Sequence, residues 1–154
     1  MNYKFCRKEQ RISATSLTKK EKAMKTSLLI VGVLMIFMLP AGWHIATDAE
    51  WKTLENFLTA DSAAGRLKEK GTMHWAFPNQ GATNTTGFTA LPGGYRDTDG
   101  PFSQSGYYAY FWTSSESSSV NGHDRFLGFN FAWMGGNFDG KTRGQTIRCI
   151  QDTQ

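Results

Sequence analysis

The sequence predicts an α+β domain in which two helices precede a loop-rich antiparallel sheet, and three observations support this fold class. Apolar residues recur at helical spacing shortly after residue 47. Twelve of the 16 glycines fall between residues 71 and 140, among serines, asparagines and aromatic residues. From Gly42 to the end there are 18 aromatic residues but only nine Leu, Ile and Val. We therefore expect a core of large rings held by turns.

The first helix is predicted over residues 48–58. Thr47 and Glu50 form a capping box, in which the hydroxyl accepts a helix N–H and the carboxylate reaches back to the cap residue. The apolar positions that follow at helical spacing are Trp51, Leu54 and Leu58.

A second, shorter helix is expected from Asp61 or Ser62 through Lys70. Leu67 would be buried, and Gly71 would end the helix, because glycine adopts the left-handed conformation common after a helix C-terminus. Both helices are predicted to be scaffold, since their apolar faces need no ligand to explain them.

The rest of the chain carries strand and turn signals. Residues 111–112 and the alternating apolar positions of residues 127–133 predict strands. Asn121-Gly122 and Asp139-Gly140 are typical of tight hairpin turns.

Some side chains in the part of the chain that follows the helices are expected to face the core. A closing strand is predicted from Gly144 to Ile150, with Ile147 and Cys149 pointing inward. Large rings are usually buried, so a core position is favoured for Trp112 and Trp133 as well.

The charge of the chain is concentrated at its N-terminus. Residues 1–26 hold eight basic and two acidic groups, a net charge of +6, whereas residues 27–154 hold nine basic and eleven acidic groups, a net charge of −2. Proteins that track phosphates concentrate Lys and Arg on the folded surface, so nucleic acid is not expected as a partner. The sequence pI near 9.1 therefore results from the basic residues of the N-terminal tail.

An uncharged run over residues 27–39 follows the basic tail and ends before Pro40. It is shorter than the roughly 20 residues that cross a bilayer and matches the hydrophobic region of an export signal or anchor. A buried strand or helix of the domain is the alternative. The expected organisation is a basic tail over residues 1–26, this segment over 27–39 and one domain over 40–152, with membrane contact through residues 27–39 only.

Known catalytic and metal-binding patterns do not occur. The three histidines are far apart in sequence, and there is no His-x-x-x-His or Cys-x-x-Cys pair for zinc. The serines near residue 115 form a run without a nucleophile elbow, so we do not expect an enzyme. No cofactor is predicted; a calcium site assembled from the oxygens of separate loops stays an alternative, with candidate ligands Glu116, Asp124, Asn137 and Asp139.

An ordered set of motifs resembles a known family. They are Gly42-Trp43-His44-Ile45, Gly81-Ala82-Thr83-Asn84, Leu91-Pro92-Gly93-Gly94-Tyr95-Arg96, Trp112-Thr113-Ser114-Ser115-Glu116 and Ile147-Arg148-Cys149. This part of the chain, about residues 40–152, resembles the Fibrobacter succinogenes major paralogous domain, found in exported bacterial proteins. The resemblance implies a C-type-lectin-like fold, related to that of formylglycine-generating enzymes, a secreted or cell-envelope location, and a recognition role.

One departure from the family concerns the cysteines. The resemblance implies a cysteine just before the Pro-x-Gly-Trp-His segment, as a partner for the cysteine near the C-terminus, but Leu39 stands there. Cys6 lies in the basic tail on the far side of the hydrophobic run, so we do not expect a Cys6–Cys149 bridge.

Binding of a ligand is the expected function. Rings in or beside Gly-, Ser- and Asn-rich loops suit recognition of a glycan or protein outside the cell, and they are Tyr107, Tyr108, Tyr110, Trp112, Trp133 and Phe138. The exposed candidates are expected in loops over residues 116–125 and 134–141. The predicted ligand-binding residues are Trp112, Glu116, Asp124, Arg125, Trp133, Asn137 and Asp139. Two alternatives are a structural envelope module or truncated paralogue without a ligand, and an oxidoreductase of the formylglycine-generating type. If the hydrophobic segment is not cleaved, the N-terminus would stay in the cytoplasm.

Overall fold

The computed structural model describes residues 39–152. The predictions for the basic tail, for Cys6 and for most of the hydrophobic run fall on residues 1–38 and lie outside the described residues. Within residues 39–152, no helix is both long and apolar enough to cross a bilayer.

The fold begins with a short strand and the first helix. Strand β1 spans Trp43–Ile45, and helix α1 spans Asp48–Phe57. Both bonds of the capping box are formed, because the Thr47 hydroxyl accepts from the Glu50 N–H and the Glu50 carboxylate accepts from the Thr47 N–H. The predicted helix and its N-terminal signal are confirmed.

The second helix is shorter than predicted. A 3-10 turn at Ala60–Ser62 leads into helix α2, Ala63–Leu67, which ends before Lys68 and not at Lys70. Lys68 leaves the helix in an extended conformation and is fully buried. Its ammonium donates to three backbone carbonyls at 2.8–2.9 Å, those of Gln80, Gly128 and Phe131. These tertiary hydrogen bonds outweigh the propensity of the sequence to continue the helix.

The remaining elements are strands. A hairpin joins β2, Tyr95–Arg96, to β3, Phe102–Ser103. The central sheet contains β4, Tyr108–Glu116, then β5, Asn121–Gly128, β6, Gly135–Gly140, and β7, Thr146–Ile147. Its strand order is β6-β5-β4-β7, and the β4–β7 pair is parallel while the others are antiparallel. The α+β fold class is confirmed.

The predicted closing strand is split in two. Strand β8, Cys149–Gln151, follows β7 after Arg148 and pairs antiparallel with β1, which brings the two ends of the domain together. Cys149 is buried as predicted, whereas Ile147 is only half-buried.

Two turn predictions and one strand prediction are wrong. Asn121-Gly122 begins β5 and Asp139-Gly140 ends β6, and these two dipeptides pair with each other across the sheet. The β4–β5 connection is instead formed by residues 117–120. The alternating residues 127–133 leave the sheet after Gly128, because Phe131 and Trp133 turn back onto it.

The buried core lies between the helices and the central sheet. Trp51 of α1 contacts Phe88 and Phe111, with ring centroids 6.0 and 5.3 Å apart. Leucine and alanine side chains fill the space around four buried rings, so the core is less exclusively aromatic than expected. Trp112 and Trp133 do not belong to it: Trp112 is half-buried and Trp133 is 47% exposed.

Candidate functional site

The two faces of the central sheet have different surroundings. Strands β4 and β5 pair so that Phe111 lies opposite Arg125, and Tyr110 opposite Phe126. Phe111 packs on Trp51 of α1, so the alternation of side chains along a strand directs Tyr110 and Phe126 away from the helices. The rings on that side or packed against it form a surface that we call the aromatic face, and they are Tyr95, Tyr108, Tyr110, Trp112, Phe126, Phe131 and Trp133.

Most of these rings contact one another in a continuous array. Tyr108 stacks on Tyr110 with centroids 5.7 Å apart, and Tyr110 lies 6.0 Å from Phe126. Phe126 is 6.0 Å from Trp133, which stacks on Phe131 at 4.3 Å and 15°. Each ring is held by its neighbours yet stays partly accessible to solvent, and Trp133 is the most exposed. The array is therefore a rigid surface of ring faces and edges.

Two glycines of the sheet make room for the rings. A Cβ atom at Gly135 would overlap the ring of Phe126, and a Cβ atom at Gly128 would overlap the ring of Phe131. The rings lie directly on the backbone at these positions, as glycine in a strand permits. These two glycines therefore have a specific role, because they leave the space that the rings of the aromatic face occupy.

A polar network lies at one end of the array. Asp124 is fully buried, and its carboxylate accepts from the Gln145 amide at 2.8 Å. The same amide and the Arg143 guanidinium donate to Asp139, at 3.3 and 2.6 Å. Burial raises the pKa of Asp124, and burial beside other phenols and carboxylates raises the pKa of Tyr110 to about 12. At neutral pH the Tyr110 hydroxyl keeps its proton and can act as a hydrogen-bond donor.

The charges around the aromatic face are paired. Lys141 donates to Glu116 at 2.7 Å, and Arg143 lies within 3.4 Å of Asp97 as well as contacting Asp139. The Arg143 guanidinium also lies 4.7 Å from the centre of the Tyr95 ring. Since each of these cations has at least one carboxylate partner, the rim of the face carries no excess of positive charge.

The structure brings six of the seven predicted ligand-binding residues to this side of the sheet. Trp112 and Trp133 belong to the aromatic face, and Asn137 is exposed opposite the buried Asp124. The other two are Asp139, which is half-buried in the polar network, and Glu116, which is exposed at the end of β4.

Arg125 lies on the opposite face. Its guanidinium contacts Asp48 at 2.8 Å and Glu55 at 3.4 Å, which anchors α1 to the sheet. Arg125 and Asp124 are 8% and 0% exposed, so neither offers a surface to a ligand. The predicted loops that were to display them are strands, which explains why their side chains are enclosed.

Sequence reasoning did not include several residues of the site. The missed residues are Tyr95, Phe126, Phe131, Arg143 and Gln145. Tyr108 and Tyr110 were among the rings expected to suit recognition, and with Trp112 they alternate with smaller or buried residues at the period of a strand. Arg143 and Gln145 lie in the connection between β6 and β7, and nothing in their local sequence indicates that they would contact Asp139.

Among residues 39–152, no group of three or more His, Cys, Asp or Glu side chains is placed to hold a metal ion. The carboxylates of Asp124 and Asp139 contact Gln145 and Arg143, and Glu116 is paired with Lys141.

A sequence model of the Fibrobacter succinogenes major domain matches residues 11–151. No curated protein and no solved structure matches the chain.

Proposed function

Since the chain belongs to the Fibrobacter succinogenes major domain family, we propose that it is a non-catalytic recognition domain, secreted or held in the cell envelope, that binds a glycan or protein on the aromatic face. The observation that carries this proposal is the array of partly exposed rings on the side of the sheet away from the helices. Soluble proteins rarely leave a large contiguous group of apolar rings exposed unless a partner binds there.

The architecture supports a C-type-lectin-like fold, which is the finer part of the proposal. Pairing of β1 with β8 closes the described part of the chain into a loop whose ends meet. The helices lie on one side of the sheet, and the other side is left for recognition.

We propose that the domain is not catalytic because of the surroundings of its cysteine, Cys149. Cys149 is 4% exposed, and the neighbouring Arg148 guanidinium lies over the rings of Phe88 and Phe111, 5.1 and 5.2 Å from their centres. A reactive cysteine requires access and a nearby positive charge directed at its sulfur. Cys149 lacks this access.

The export of the protein is proposed from the basic tail and the hydrophobic run over residues 27–39. Fractionation of cells that express the full chain tests this part separately. Recovery in the envelope or medium is expected, and recovery in the soluble cytoplasm would contradict it.

A pair of exposed rings on opposite sides of the sheet tests the binding site. Trp133 belongs to the aromatic face, whereas Phe138 of β6 lies on the other face, 4.5 Å from His123, and is 59% exposed. The full chain and its Trp133→Ala and Phe138→Ala variants would be applied to arrays of glycans and of secreted proteins. We expect ligands whose binding is lost with Trp133→Ala and kept with Phe138→Ala. Equal loss in the two variants, or retention in both, would contradict the proposed site.

A further inference from the structure

Resting on the proposed function, we infer that the ligand of the aromatic face is an uncharged carbohydrate chain, held by ring stacking and direct hydrogen bonds without calcium. Three features of the face lead to this inference: the orientation of its rings, the hydrogen-bonding groups among them, and the pairing of its charges.

The rings form two stacked pairs that are joined through Phe126. In one pair the planes of Tyr108 and Tyr110 are inclined by 28°, and in the other those of Phe131 and Trp133 by 15°. The face of an aromatic ring is electron-rich, so it attracts the weakly positive C–H groups on the flat side of a sugar ring. Stacking within a pair covers one face of each ring, so a sugar would stack on the outer face of the exposed Trp133, and the second pair would extend the contact along the same surface.

Polar groups that match sugar hydroxyls lie among these rings. The phenols of Tyr108 and Tyr110 can donate and accept, and so can the exposed amide of Asn137, which lies on the same side of the sheet two strands away. Sugar hydroxyls need both kinds of partner, since each one is a donor and an acceptor. A purely aliphatic partner would leave these groups without hydrogen bonds at a cost in affinity.

The pairing of charges around the aromatic face disfavours binding of charged polymers. The rim cations Lys141 and Arg143 are paired with Glu116 and Asp139 at 2.7 and 2.6 Å. Stacking of nucleic-acid bases on aromatic rings works together with an excess of positive charge that tracks the phosphates. Such an excess is not found here, because residues 39–152 contain nine basic and eleven acidic residues. An acidic polysaccharide would meet the same obstacle.

Calcium is not required by this arrangement. The carboxylate of Asp139 already receives hydrogen bonds from Arg143 and Gln145, and that of Asp124 receives one from Gln145 while fully buried. A calcium ion needs six or more oxygen ligands that are free to turn toward it. The sugar would therefore contact the protein directly, and chelators would not release it.

The experiment measures binding of defined polysaccharides to the full chain in mild detergent by titration calorimetry. The probes are a soluble β-glucan, xylan and mannan as uncharged chains, with polygalacturonate and single-stranded DNA as charged ones. We expect binding of at least one uncharged chain and none of the charged ones, with the same Kd in EDTA. Trp133→Ala should weaken this binding by about fivefold or more, because a stacked ring contributes on the order of 1–3 kcal/mol. Phe138→Ala should leave it within twofold.

Tyr110→Phe keeps the ring and removes only the hydroxyl, so we expect a smaller loss than with Trp133→Ala. Circular dichroism of each variant confirms that it is folded, which is expected since Trp133 is partly exposed.

The other outcomes separate the two proposals. Binding of a protein that depends on Trp133, without binding of any uncharged polysaccharide, would overturn the carbohydrate inference and leave the recognition function standing. Self-association that is lost in Trp133→Ala would likewise show that a second copy occupies the face and overturn the inference. Release by EDTA or preference for a charged chain would contradict it directly. Polysaccharide binding that is insensitive to Trp133→Ala would overturn both the inference and the proposed site.

Discussion

The two faces of the central sheet are built from neighbouring residues of the same strands and yet differ in almost every physical property. On the side of α1, Phe111 is 1% exposed and the Arg125 guanidinium is enclosed with two carboxylates. On the other side, Tyr110 is half-buried and Arg143 is paired at the surface. Rings that are fully enclosed contribute to stability, whereas rings that are held but accessible can exchange water for a ligand. The first face contributes to the stability of the fold, and the second is the face that we propose for recognition.

The largest contrast is expected between adjacent rings on the two faces. Phe111→Ala removes a ring from the core and should lower the free energy of unfolding by about 3–5 kcal/mol. Tyr110→Ala should lower it by about 1 kcal/mol, because its ring is only partly removed from water. Urea denaturation followed by circular dichroism measures both. Similar losses for the two variants would contradict the division of the sheet into a stabilising and a recognition face.

The two arginines give the second contrast. Arg125→Met removes the enclosed cation that contacts both Asp48 and Glu55 and leaves Glu55 paired with Lys52 alone, which should cost about 2 kcal/mol. Arg143→Met breaks surface ion pairs with Asp97 and Asp139 and should cost less than about 1 kcal/mol. Methionine keeps much of the length of both side chains, so the comparison isolates the charge. Thermal unfolding measures the loss of stability in each variant. A larger loss with Arg143→Met than with Arg125→Met would contradict the assignment of the stabilising role to the face of α1.

Consecutive glycines of β6 give the third contrast. An added Cβ at Gly135 would overlap the ring of Phe126, whereas one at Gly136 would make an ordinary 3.4 Å contact with Arg125 on the other face. Gly135→Ala should therefore destabilise the protein by about 1–3 kcal/mol and displace the aromatic face, and Gly136→Ala should be tolerated. Chemical denaturation and near-ultraviolet circular dichroism measure the two effects. An unchanged near-ultraviolet spectrum for Gly135→Ala would show that the rings do not depend on this glycine.

The sequence predicted the face toward the helices better than the aromatic face. The capping box of Thr47 and the helical spacing after it are local signals, and both are confirmed. Arg125 was placed in an exposed loop, because its partners Asp48 and Glu55 are about 70 residues away in sequence and no local pattern reveals them.

The aromatic face depends on non-local contacts to a greater extent. The predicted strand over residues 127–133 was wrong because the same alternating rings also suit a turn that folds back onto glycines of the sheet. The premature end of α2 has a similar cause, since Lys68 reaches carbonyls 12 to 63 residues away. Local sequence predicts which residues are apolar, and the tertiary structure decides which rings are enclosed.

The smallest expected effect concerns the pH dependence of stability, and it comes from a histidine that belongs to neither face of the sheet. His44 of β1 lies between two carboxylates, with Nδ1 on Asp152 and Nε2 on Glu50. Only the protonated imidazole can donate from both nitrogens at once. The hydrogen bond to Asp152, and then that to Glu50, raise the pKa of His44 above its ordinary value of 6.5.

Because the folded-state pKa is raised, the stabilisation is complete below pH 6.5 and is lost as the pH rises through the folded-state pKa. The site is partly exposed, so the loss should not exceed about 1 kcal/mol. Thermal unfolding between pH 5.5 and 8.5 should show a small decrease in Tm that His44→Gln abolishes. A decrease that persists unchanged in His44→Gln would show that another group is responsible and would contradict the role of His44.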